Sequence, residues 1–126
     1  MYQSLDMFST SMAMARHAGA RQAVSSANVA NADTPGFRAQ ALPGFAEAYD
    51  SPVGRLGLRQ TRAEHLGIGQ GHLALKVADA GGEAAPNGNT VSLETEMLTG
   101  AEIRSEHNRA LAIYRHAIGL IRTSLG

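Results

Sequence analysis

Cysteine and tryptophan are absent from this chain of 126 residues, and three Phe with three Tyr supply all its aromatic side chains. Without cysteine there is no disulfide framework and no thiolate metal site, although that absence leaves the compartment open. Charge of one sign is lacking too, with 11 basic residues against 11 acidic ones. A basic face able to track phosphates, and hence a nucleic-acid partner, is not expected. No apolar stretch approaches the ~20 residues that a bilayer span needs. The opening Met1-Tyr2-Gln3-Ser4-Leu5-Asp6 has neither the basic start nor the apolar run of a secretory signal peptide. The residues alone therefore favour a cytoplasmic protein. Few large side chains make a thin core, so one modest domain that completes its burial against partners is expected. The isolated chain should be marginal.

What is present is organised around residues 28–37, Asn-Val-Ala-Asn-Ala-Asp-Thr-Pro-Gly-Phe. Asn28 and Asn31 can bond neighbouring backbone groups and so compete with helix propagation. Asp33 and Thr34 favour turns, and Pro35 restricts Thr34 to extended geometry while lacking a donor of its own. Gly36 supplies the positive φ of a type II Pro-Gly turn, and Phe37 gives the departing chain an apolar anchor. A helix ends here and the chain turns sharply.

Before the hinge, Ser4 is the expected N-cap, with Asp6 in the first turn. Leu5, Phe8, Met12 and Ala15 recur at spacings of three and four, a heptad-like stripe. It continues weakly through Ala18, Gly19 and Ala23. A helix from about 4 to about 30 would be roughly 40 Å long. Gly19 costs roughly 1 kcal/mol of helix propensity, which close packing of a neighbouring helix would offset. After the hinge, Ser92 is the expected N-cap of a second long helix, with Glu94 and Glu96 in its first turn. Leu93, Met97, Ile103, Ala110, Leu111, Tyr114, Ala117, Ile118, Ile121 and Leu125 form its apolar face at roughly helical spacing, and the helix could bend at Gly100.

Between them the chain is broken by Pro43-Gly44, Ser51-Pro52, Gly81-Gly82 and Pro86-Asn87-Gly88. Leu56 with Leu58, and Leu73 with Leu75 and Val77, read as short strands; Asn87-Gly88 could close a turn. The fold class is thus mainly α. Two long terminal helices pair as a coiled-coil-like hairpin around a small irregular or β insert. The divisions are 1–36 for the first helix and hinge, 37–89 for the insert and 90–126 for the second helix.

Catalytic chemistry finds little support. His65, His72, His107 and His116 have no helical i, i+4 ligand spacing and His17 stands alone, so no metal site is expected. The Gly-rich run at 67–71 lacks a third glycine at the right spacing and the following helix of a phosphate loop. No serine lies in a nucleophile elbow. Arg16, Arg21, Arg104, Arg109, Arg115 and Arg122 read as solvated faces or inter-subunit pairs. The chain is expected to be neither an enzyme nor the holder of a cofactor.

The run at 27–38, with its Asn-Val-Ala-Asn followed by Thr-Pro-Gly-Phe, resembles the N-terminal signature of bacterial flagellar rod and hook proteins. Val29 and Phe37 stand where Ile and Tyr are commoner in that family. Thr61 with His65 and Leu66, the approach Asn89-Thr90-Val91-Ser92-Leu93-Glu94, and the closing Ile121-Arg122-Thr123 resemble the proximal rod branch. Ile103 and His107 depart from the Asn and Tyr usual in mid-helix. The resemblance implies a structural subunit of the basal-body rod that assembles helically around the export channel and transmits torque. It implies self-association, neighbouring rod proteins and a membrane-ring or export-gate adaptor at the rod base as partners. It also implies a periplasmic rod location, reached through the flagellum's own type III export channel without a cleaved signal and without a membrane span. The alternatives are another rod protein of the family and a soluble helical export chaperone or adaptor.

Overall fold

The computed structural model describes residues 2–50 and 75–126. In chain order the elements are helix α1 (Tyr2–Ala30), strand β1 (Gln40–Ala41), helix α2 (Phe45–Asp50), strand β2 (Ala78–Asp79) and helix α3 (Leu93–Ser124). Small and polar residues repeating every seven positions decide how the long helices meet. On α1, Ser11, Ala18 and Ser25 are buried; on α3, Glu96, Ile103, Ala110 and Ala117 are buried. A strict seven-residue repeat keeps one seam of each helix facing the other. Ser11 can sit in that seam because its hydroxyl donates to the Phe8 carbonyl one turn back.

The helices run antiparallel. The ring of Phe8 lies 4.8 Å from that of Tyr114, Arg21 grips Glu106 and Ser25 reaches Glu96. Numbers rise on one helix as they fall on the other. The hairpin agrees with the expected fold class, but its seam falls one residue away from the large-apolar stripe. Phe8, Met12 and Ala15 flank it on α1, as Leu111, Tyr114, Ile118 and Ile121 do on α3, all half-buried. Leu5, Met97 and Leu125 stand outside it, 53, 78 and 76 % exposed. Large apolar side chains define the shoulders of this interface, and its centre is mostly small, with Ile103 and Glu96 the large members.

Local expectations fare unevenly. Ser4 lies inside α1, which begins at Tyr2, so it is not the N-cap. Ser92 is the N-cap of α3, in extended geometry and accepting from the Thr95 amide. The helix then continues unbroken through Gly100 and Gly119. A Cβ at Gly19, Gly100 or Gly119 would meet nothing within 4 Å, so none of these marks a close approach among the described residues.

Within the insert, Gln40 pairs with Asp79 and Ala41 with Ala78 in a two-residue antiparallel ladder. The strand expected through Leu75 and Val77 therefore begins just after them, and both side chains are exposed. The short helix α2 was not foreseen in a segment rich in breakers. Its first turn is closed by the Ala48 amide donating to the Gly44 carbonyl at 3.0 Å. Asn87-Gly88 does turn the chain: the Gly88 amide bonds the Ala85 carbonyl at 2.8 Å, with Gly88 at φ +82°. Leu56, Leu58, the 61–66 element with His65, the Gly-rich run at 67–71, His72 and Leu73 lie outside the described residues.

Candidate functional site

The hinge is built by backbone bonds first. The Asn31 amide donates to the carbonyls of Ala27 and Asn28, both at 3.1 Å, and Ala32 to Val29 at 3.2 Å. The Asn31 side chain adds a bond to the Ala27 carbonyl at 2.8 Å. These donors satisfy carbonyls that a helix end would otherwise leave open. Thr34 Oγ1 donates to Asn31 Oδ1. The turn Thr34-Pro35-Gly36-Phe37 closes through the Phe37 amide and the Thr34 carbonyl at 3.2 Å, with Gly36 at φ +72°. That is the type II geometry a Pro-Gly pair favours.

What clamps this turn comes from far along the chain. Asn89, only 3 % exposed, points its amide nitrogen at three hinge carbonyls. They are Asn31 at 2.9 Å, Ala32 at 2.8 Å and Thr34 at 2.8 Å. Carbonyls only accept, so the nitrogen must face them. Its Oδ1 is free to accept from the Val91 amide at 2.7 Å. Beside it, the Gly36 amide donates to the Asn87 carbonyl and the Thr90 amide to the Phe37 carbonyl, each at 3.0 Å. Thr90 Oγ1 accepts from the Ala39 amide at 2.8 Å.

One turn before the hinge, Asn28 performs a similar task. Its Oδ1 accepts from the Gln40 amide at 3.0 Å and its Nδ2 donates to the Gln40 carbonyl at 2.7 Å. A side chain thus takes the place of a third strand beside β1. The same Nδ2 donates to Glu96 Oε1 at 2.7 Å, while Ser25 Oγ donates to Glu96 Oε2 at 2.6 Å. Both oxygens of a buried carboxylate are held by neutral donors, and Glu96 lies in the opening turn of α3, where the helix dipole favours negative charge. Two turns away, Arg21 Nη1 contacts both Glu106 carboxylate oxygens at 2.7 Å. Their side chains are 13 and 33 % exposed.

Of the hinge residues singled out in the sequence, Asn28, Asn31, Thr34 and Gly36 are joined in this network. Asp33 and Pro35 are exposed, and Phe37 is half-buried. Ser25, Asn89, Thr90 and Glu96 complete the network; Glu96 was read only as a first-turn acid, Asn89 and Thr90 only as part of the family-like approach to α3, and Ser25 not at all. The signal for Ser25 was available: it falls on the seven-residue register of Ser11 and Ala18. Arg21 was grouped with solvated or inter-subunit arginines, yet its partner lies within the hairpin. Among the described residues, no cluster of three or more His, Asp or Glu is placed to hold a metal ion. No helix among them is long and apolar enough to cross a membrane. The arrangement locks the hinge backbone to the approach of α3 through side chains and backbone alike.

Comparison with known proteins points to the same segment. The profile of a family described as "Flagella basal body rod protein" matches residues 13–38, the stretch that carries Ser25, Asn28 and the whole hinge. The chain is also similar to the flagellar basal body rod protein FlgB of Agrobacterium fabrum, with 27% identity over 110 residues. That likeness covers 84% of this chain and 82% of the Agrobacterium protein.

Proposed function

We propose, from the premise that this chain belongs to the flagellar basal body rod family and is a structural subunit of the FlgB type, that its helical hairpin packs into a helical tube around the export channel and carries torque along it. The supporting observation is the apolar surface that the hairpin leaves uncovered. On α3 alone, Leu93, Met97, Leu98, Leu120 and Leu125 are between 44 and 78 % exposed. Side chains of this kind gain their burial when neighbours arrive. The clamp at Asn28, Asn89 and Glu96 supports the same reading, because it fixes the angle at which the chain leaves the first helix.

The neighbours would be further copies, other rod proteins and a membrane-ring or export-gate adaptor at the rod base. The rod's periplasmic part would be the location, and the flagellum's own export channel the route. Bonds that hold backbone in place, rather than groups that react, suit a mechanical part and not an enzyme.

Electron microscopy of purified basal bodies tests this directly. Density for both helices lining the base of the rod, with the chain turning outward at the Pro35-Gly36 hinge, is the expected outcome. A chain absent from the rod and recovered as a small soluble oligomer bound to an export client would replace this reading with an adaptor.

A further inference from the structure

His17 is a titratable group that the hinge and the hairpin seam do not use. It is 1 % exposed, and among the described residues neither ring nitrogen has a hydrogen-bond partner. Buried polar atoms are normally satisfied, so an orphaned imidazole calls for a physical account. Its surroundings supply one. The ring stands edge-on to Phe45 of α2, centroids 5.7 Å apart at 73°, and Phe45 in turn stacks obliquely on Tyr49 at 5.6 Å. Ala48, the buried residue of α2, completes that short helix's inner face.

We propose that α2 is an acid-released latch: it covers α1 only while His17 is neutral, and protonation of that ring detaches α2 from the hairpin. The neutral ring is an aromatic body that packs against Phe45. A charged ring would need a polar partner, and among the described residues neither nitrogen has one in hydrogen-bond geometry.

The charges facing His17 from each side agree with this. From α1 itself, Arg21 lies one turn on and adds like charge. From α3, Glu106 would favour a charged ring, but both of its oxygens already engage Arg21. From α2 comes Phe45, while Glu47, Tyr49 and Asp50 lie at the exposed surface. The Pro43 carbonyl favours the charged form slightly, outside hydrogen-bond geometry for either nitrogen. Burial is the largest influence and Arg21 the next, and together they hold the imidazole below its ordinary value of 6.5.

Release would not undo the rest of the fold. The Arg21–Glu106 pair and the clamp at Asn28 and Glu96 join α1 to α3 without passing through α2. Acid would therefore bare the His17 face of α1 while leaving the hairpin closed. In an assembling chain, that face becomes available to another helix.

Amide hydrogen exchange of the full chain at about pH 7.5 and about pH 5, corrected for intrinsic rates, tests the latch. The expected result is a loss of protection of about tenfold or more across Phe45–Asp50 in acid, with the α1 and α3 amides around Arg21 and Glu106 unchanged. His17→Leu should abolish that loss. Equal protection at both pH values, or the same acid loss in His17→Leu, would overturn the proposal. Should that variant not fold, NMR titration of the wild-type imidazole decides. Expected is a His17 ring that titrates below its ordinary value together with the α2 amide signals. A ring that titrates with no change at α2 would overturn the latch.

Discussion

Asn28 Nδ2 and Glu96 Oε1 meet at 2.7 Å in the interior of the hairpin, and the carboxylate's second oxygen is met by a neutral hydroxyl, that of Ser25. A buried charge held by neutral donors depends on every one of them, because none can be replaced by water. Glu96→Gln turns one acceptor into a donor that confronts Asn28 or Ser25, and should cost about 1–3 kcal/mol. Replacing Ser25, Asn28 and Glu96 together by apolar residues should cost less than the three single changes summed, since the set removes the carboxylate with its donors and leaves only the Gln40 amide and carbonyl without their side-chain partner. Urea unfolding of Glu96→Gln, the three single apolar variants and the triple variant measures both quantities.

Asn89 permits a sharper comparison. Asn89→Ala removes a donor from three hinge carbonyls and should cost about 2–4 kcal/mol. Asn89→Asp keeps the bond to the Val91 amide but aims a second acceptor at those carbonyls, so it should be the worse of the two. A smaller loss in Asn89→Asp than in Asn89→Ala would mean that the Oδ1 bond, and not the hinge clamp, is what matters at this position.

Glycines divide into those the chain needs and those it does not. A Cβ at Gly82 would sit 2.8 Å from the Thr90 carbonyl oxygen, and Gly36 holds φ +72°. Gly36→Ala should cost roughly 1–2 kcal/mol, and Gly82→Ala should cost stability by forcing β2's exit away from Thr90. Gly19→Ala meets open space inside a helix and should instead stabilise the monomer by about 1 kcal/mol. If Gly19→Ala raises monomer stability yet lowers motility in a strain carrying it, that face of α1 is in use between subunits.

Stability should also depend on pH through His17. Its folded value lies below the ordinary 6.5, so between the two values the unfolded chain binds more protons. The contribution of the neutral ring is then fully present above about pH 6.5 and is lost as pH falls through the folded value. Denaturant midpoints measured from neutral to mildly acid pH should fall in the wild type and flatten in His17→Leu.

The architecture was legible because two kinds of signal are local. A Pro-Gly pair dictates its own turn, and long stretches without breakers dictate helices, so the hinge at 31–37 and both terminal helices could be read directly. A search for large apolar residues finds Ile103 alone of the seam, and Phe8 and Met12 mark only its edge. Ala18, Ala110 and Ala117 could be read as small members of the apolar faces, whereas Ser11 and Ser25, polar and small, could not. Asn89 was beyond reach for another reason. Its role depends on a turn about 55 residues earlier, and nothing within its own neighbourhood distinguishes it from any asparagine after a glycine. His17 looked like a solitary polar residue because the helix that buries it, α2, was itself unforeseen.

The bonds from Phe37 to Thr90 and from Gly36 to Asn87 draw together the two ends of everything that lies between them. The chain leaves the hairpin and re-enters it through the same doorway. The geometry of the long helices is therefore insulated from the length of the excursion, since closing a longer loop between points already pinned adds only slowly to the entropic cost. A longer or shorter excursion should leave the pair of helices unchanged, and a foreign module spliced in between should leave the hairpin standing.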